Sequence, residues 1–132
     1  PIADSDTFES LSQKLAKIGA KLLVKTIPDY VSGKIKPMEQ NHAEATYTKI
    51  IKKEDGKIDW SKSAAEIERM VRAFYPWPSA WTIWKGKILK ILEAEVRNEK
   101  LAIKKLQLEG GKALFIKEFL NGHKDFNVGR LK

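Results

Sequence analysis

Along the first third of the chain, apolar residues recur at helical spacing: Phe8, Leu11, Leu15, Ile18 and Leu22 follow one another at alternating steps of three and four. Such spacing puts them on one face of a helix. Asp6 followed by Glu9 has the form of a capping box, which sets the expected start. Pro28 is expected to kink or restart the helix, and Gly33 to end it with a left-handed cap. The stripe is too short for several heptads, so its expected partner is a sheet rather than a coiled coil. From Lys34 to Gly56 the pattern weakens into an extended run with a proline and a charged tail, read as a linker holding one or two short strands. Helical period returns in "IDWSKSAAEIERMVRAF", where Ser61 or Ser63 can cap and Ile67, Met70, Val71 and Phe74 line one face.

Two prolines and two tryptophans then crowd into "RAFYPWPSAW", residues 72–81. Pro76 and Pro78 each fix φ, remove a donor and push the preceding residue away from helical geometry, so no helix continues through this corner. It either locks two elements together or presents a binding surface. Beyond it the period changes to two. Trp81 and Ile83 alternate with polar or small residues, Lys85 and Gly86 mark a hairpin turn, and "KILKILEAEV" resumes as a strand with a phase slip near Leu92 that predicts a bulge. "LAIKKLQLE" is a third strand, broken by Gly110 and Gly111. A short helix "FIKEFLN" ends at Asn121 and Gly122, and the last residues are expected to fray. The pattern predicts an α+β chain: an N-terminal helical segment and a linker, then a twisted antiparallel sheet with flanking helices.

Composition narrows the chemistry. With 132 residues and 42% hydrophobic positions the chain can build one core of ordinary size. It has no cysteine, which excludes disulfides, thiolate nucleophiles and cysteine metal sites, and suits a reducing, cytoplasmic setting. No apolar run reaches the length of a membrane span and the N-terminus lacks the layout of a signal peptide, so no membrane partner is expected. The chain opens on Pro1 rather than Met, which is expected of a processed or excised segment.

Of the net charge of +8, residues 1–84 carry 13 basic and 11 acidic side chains, whereas residues 85–132 carry 12 basic and 6 acidic. An electropositive C-terminal third is the usual footprint of a polyanionic partner, although many lysine-rich domains are merely well solvated. Residues for self-sufficient catalysis are missing: the sequence shows no serine–histidine–aspartate set, no closely spaced metal ligands and no glycine-rich phosphate loop. His42 sits in the linker and His123 follows a helix-ending glycine, where a surface position is expected. Glu93 and Glu95 are explained by the lysines around them.

The segments "DTFESLSQKLAKIGAKLL", "ATYTKIIKKEDGKIDWSKSA", "RAFYPWPSAWT", "GKILKILEAEV" and "KEFLNG" occur in the order and spacing of the methionyl-tRNA formyltransferase family, across the end of its catalytic domain and its C-terminal domain. The run from "KKEDGKIDW" to "PWPSAWT" is specific to that family and its formyltransferase relatives. The resemblance implies residues 1–40 as the tail of a catalytic domain, 41–58 as a basic linker, and 59–132 as a small, reduced OB-like (oligonucleotide-binding-like) antiparallel β-barrel. It implies an enzyme that formylates initiator methionyl-tRNA with 10-formyltetrahydrofolate as co-substrate, monomeric when intact. The family's catalytic positions lie upstream of the matched region, so this chain is expected to hold no catalytic residue, to bind no folate and to be inactive alone. Its share would be the grip on tRNA through Lys53, Lys57, Arg72, Lys85, Lys87, Lys90, Lys104 and Lys105. Trp77 and Trp81 are expected to anchor the linker helix onto the barrel.

Three departures from the family pattern stand out. Tyr75 replaces the usual asparagine before the first proline, the interval between "LEAEV" and "KLQLE" lacks two strands common in relatives, and Phe115 stands where a capping Ser or Thr is common. The competing reading is the corresponding domain of a formyltransferase that acts on a sugar amine or a folate-linked substrate. In such an enzyme the domain is structural. A third reading is a generic single-strand-binding or protein-interaction module.

Overall fold

A computed structural model describes residues 1–131. The first helix, α1 (Phe8–Val31), is capped by Thr7 and Ser10 rather than by Asp6 and Glu9: the Thr7 hydroxyl accepts from the Ser10 N–H and the Ser10 hydroxyl from the Thr7 N–H. Asp6 instead turns back to accept from the Ala3 N–H, the Ser10 hydroxyl and the Lys14 ammonium. The helix continues past Pro28 without restarting, and Gly33 takes the predicted left-handed conformation at φ +77°. Its apolar stripe does not pack on a sheet. Leu15, Ile18 and Leu22 each stay roughly 60% exposed, whereas at the N-terminal end of the helix Phe8 and Leu11 line a shallow cleft with Arg69 and Ala73. There Arg72 donates to the Asp6 carbonyl at 2.6 Å.

The linker forms no strand of its own. It holds two short 3-10 turns, His42–Glu44 and Lys53–Gly56, and Tyr47 and Ile50 remain exposed. A strand needs a partner edge and a buried face, and this stretch finds one only at its end, in an isolated parallel bridge between Lys57 and Trp81. Helix α2 (Ala64–Phe74) is capped by Ser63, which forms a reciprocal box with Glu66, and buries Ile67 and Val71.

Four antiparallel strands follow in sheet order β1 (Ala80–Trp84), β2 (Lys87–Arg97), β3 (Lys100–Leu108) and β4 (Ala113–Phe115). Lys85 and Gly86, at φ +51° and +75°, make the predicted first turn. The register slips on either side of Glu93, which is the bulge signalled at Leu92. Strand β4 is a departure from expectation. Its three residues are too few to display a period, and Phe115 closes the strand while opening helix α3 (Ile116–Gly122). Glu118 accepts from the Phe115 N–H at 2.9 Å, but no N-cap side chain satisfies the N–H groups of the first turn.

The expected barrel is an open sheet: β1 and β4 are its edges and do not meet. Asn98 and Glu99, both with positive φ, connect β2 directly to β3. One core lies beneath the sheet, where Leu89, Ile91 and Leu106 meet Ile67 and Val71 of α2 and Phe119 of α3. Up to Leu131, the last described residue, the C-terminal segment stays packed rather than frayed. Phe126 and Leu131 are buried and complete that core, as apolar side chains worth about 1.5–3 kcal/mol each when fully covered. His123 is likewise not a simple surface residue: its ring lies 4.3 Å from Phe119 and 5.1 Å from Trp84, centroid to centroid. Among the described residues no helix is long and apolar enough to cross a membrane.

Candidate nucleic-acid interface

The proline corner turns α2 into β1 within five residues. Both the Tyr75–Pro76 and Trp77–Pro78 bonds are cis. Ser79, at φ +66°, fastens the turn by donating its N–H to the Phe74 carbonyl at 2.9 Å and its hydroxyl to the Pro76 carbonyl at 2.7 Å. Pro78, Ser79 and Ala80 are buried. The corner is therefore a closed joint, and it projects its large side chains in fixed directions.

The four tryptophans divide between packing and display. Trp60 donates to the Thr82 hydroxyl at 3.1 Å, and Trp84 stacks in the cluster of Phe119, His123 and Phe126. Trp81 donates its indole N–H to the Lys53 carbonyl at 3.0 Å, and its own carbonyl accepts from the Ile58 N–H at 2.8 Å. Gly56 makes this approach possible, because a Cβ there would sit 2.3 Å from the Ser79 carbonyl oxygen. Trp81 thus anchors the end of the linker to the sheet. Trp77 does not anchor anything comparable: it is 60% exposed. A lone exposed tryptophan on a rigid corner is a surface available to a ligand.

Trp77 overlooks an open groove of about 280 Å³, bounded by Lys53, Trp81, Lys90, Gln107 and Gly110. The sheet register explains the company it keeps. Lys90 lies opposite Trp81 on one side and Gln107 on the other, so all three project from the same row across β1, β2 and β3. Gln107 was legible in the sequence only as a polar position alternating with Leu106 and Leu108. Its place beside Lys90 depends on the register after the bulge.

The eight basic residues expected to grip RNA are not equivalent. Arg72 holds Glu68 in a two-pronged pair at 2.6 and 3.1 Å while also reaching the Asp6 carbonyl, and Glu68 keeps its guanidinium more firmly protonated. That geometry joins α1 to α2. Lys85 pairs with Asp125 at 2.6 Å above the Trp84 ring and holds that carboxyl below its ordinary range. Lys104 pairs with Glu95 at 2.5 Å, and together with Arg97 lowers the Glu95 carboxyl. Lys105 stands 3.8 Å from Glu93 and over the Phe115 ring. Lys53, Lys57, Lys87 and Lys90 have no ion-pair partner among the described residues. Only Lys53 and Lys90 meet at the groove. Exposed pairs are worth about 0–1 kcal/mol, so Lys85, Lys104 and Lys105 remain recruitable by a phosphate at small cost. His42 is exposed in its 3-10 turn and joins none of these groups.

Residues 50–102 match the formyl transferase C-terminal domain family. The full chain is similar to curated proteins over much of its length. It is 39% identical over 153 aligned positions to a methionyl-tRNA formyltransferase of Koribacter versatilis, covering 99% of this chain and 49% of that protein. A counterpart from Streptococcus mutans is 38% identical over 92% of this chain and 46% of its own length. One from Chloroflexus aurantiacus is 54% identical over 86 residues, 65% of this chain and 28% of the relative. The chain spans less than half the length of these relatives. The Koribacter alignment is longer than the chain itself, so that relative has residues this one lacks. Similarity sustained across almost every residue, with the domain match centred on the joint and hairpin described above, places this chain in the methionyl-tRNA formyltransferase family as its C-terminal part.

Proposed function

We propose that this chain grips and orients tRNA for formyl transfer to initiator methionyl-tRNA in the cytoplasm, at the start of translation. The formyl group would come from 10-formyltetrahydrofolate, handled by a catalytic domain that precedes the region described. Residues 1–40 form the tail of that domain, 41–58 the basic linker, and 59–132 the RNA-binding domain. The observation that carries the reading is the near-complete alignment with proteins named methionyl-tRNA formyltransferase. The charge distribution supports it, since residues 85–132 hold twice as many basic as acidic side chains. So does the unpartnered apolar stripe of α1, which suits a helix whose packing partner lies elsewhere in the protein.

The contribution to catalysis is positional. An amine held in line with a formyl donor reacts as though at very high concentration, and a grip on the tRNA body supplies part of that alignment. Lys53, Lys57, Lys87 and Lys90 are the first phosphate contacts in this scheme, with Lys85, Lys104, Lys105 and Arg72 behind them because their charges are already engaged. Titrating tRNA against the chain at several salt concentrations tests the reading. With about four phosphates engaged, a fourfold rise in salt weakens binding on the order of 100-fold, and neutralising Lys53 and Lys90 together removes about two contacts from the slope. Slopes equal to that of an unrelated protein of the same net charge would remove the basis for an RNA grip.

A further inference from the structure

We propose that the groove beneath Trp77 takes one unpaired nucleobase of the RNA, stacked on the indole, and favours bases that carry an exocyclic amine. This rests on the RNA-binding reading and adds to it a site that reads a base. Three features converge there. Trp77 offers a large, mostly exposed face on a corner whose backbone Ser79 fastens. Lys53 and Lys90 flank the groove without ion-pair partners among the described residues, at positions suited to the phosphates on either side of a turned-out base. The polar side chains inside it present acceptors. One N–H of the Gln107 amide donates to the Gly111 carbonyl at 2.9 Å, and the side-chain oxygen accepts from no protein donor among the described residues. Glu109 accepts from the Ile88 N–H through one carboxylate oxygen, leaving the other.

Acceptors facing a stacked base match the amino groups of cytosine, adenine or guanine. They repel the O4 of uracil, so cytosine and uracil, equal in size, separate the edge contact from stacking. The two lysines offset the charge of Glu109 and draw the backbone in.

The experiment measures binding of the RNA octamers C8 and U8 to the full chain, with Trp77→Ala, Trp77→Phe and Gln107→Leu variants checked for folding by circular dichroism. C8 is expected to bind severalfold more tightly than U8. Trp77→Ala should weaken C8 binding about 5- to 150-fold with the salt slope unchanged, and Trp77→Phe should restore most of it. Gln107→Leu should narrow the gap between C8 and U8. Unchanged C8 affinity in Trp77→Ala, or U8 binding as tightly as C8, overturns the groove. If salt-sensitive tRNA binding persists in that case, the grip stands without the base site; if it is also missing, both readings fall.

Discussion

Replacing Gly56 by alanine tests the joint on which the interface depends. The added Cβ would lie 2.3 Å from the Ser79 carbonyl oxygen, 3.0 Å from Trp81 Cδ1 and 3.1 Å from its Nε1. An ordinary carbon–oxygen contact needs about 3.3 Å, so backbone must retreat by roughly 1 Å. Neither neighbour can yield cheaply. Ser79 is 2% exposed and fastened at both ends to the proline corner, and Trp81 is held by Lys53 and Ile58. Overpacking of this kind costs about 1–3 kcal/mol, and loss of the Trp81–Lys53 hydrogen bond adds about 1 kcal/mol. An expected loss of about 2–4 kcal/mol lowers the urea midpoint by on the order of 1–2 M for a domain of this size. Gly122→Ala is the control, since nothing lies within 4 Å of a Cβ there and its φ is not positive. It should shift the midpoint little. Equal midpoints for Gly56→Ala and wild type would mean that the 53–58 segment is not pinned to the sheet as described, and the placement of Lys53 beside Trp77 would lose its foundation.

Three further outcomes follow from the same geometry. The Asp6 carboxyl is held down to about 2 by the Lys14 ammonium, the Ala3 N–H and the Ser10 hydroxyl, so its contribution is full above the ordinary aspartate value of 3.8 and disappears as pH falls toward 2. An NMR titration midpoint near 3.8, or acid sensitivity in that window unaltered by Asp6→Asn, would contradict this. Phe119→Ala removes the largest fully buried side chain from the core between α3, Trp84 and Phe126 and should cost about 3–5 kcal/mol by chemical denaturation; a loss below about 1 kcal/mol would show that α3 is not integral. Formylated methionyl-tRNA should not accumulate from the purified chain and a formyl-folate donor, and its accumulation would refute the assignment of catalysis to a preceding domain.

Local pattern determined much of this protein. The helical period of residues 64–74, the alternation after the corner, the Lys85–Gly86 turn and the slip at Leu92 all follow from side-chain spacing and backbone preference within a few residues, and the structure reproduces each. The family, too, was legible, because its signature lies in contiguous runs. What depended on contacts between distant segments was not. Whether the sheet closes depends on whether its edge strands β1 and β4 meet, and whether the tail frays depends on core contacts made by Phe126 and Leu131. The stripe of α1 predicted a partner, and amphipathic spacing carries no information on where that partner lies. The same holds for the two corner tryptophans. The two lie four residues apart and are alike in chemistry, yet Trp81 is claimed by the Lys53 carbonyl brought from 28 residues away, while Trp77 is left open. Only tertiary structure could separate them, because a side chain's role is decided by which backbone comes within reach of it.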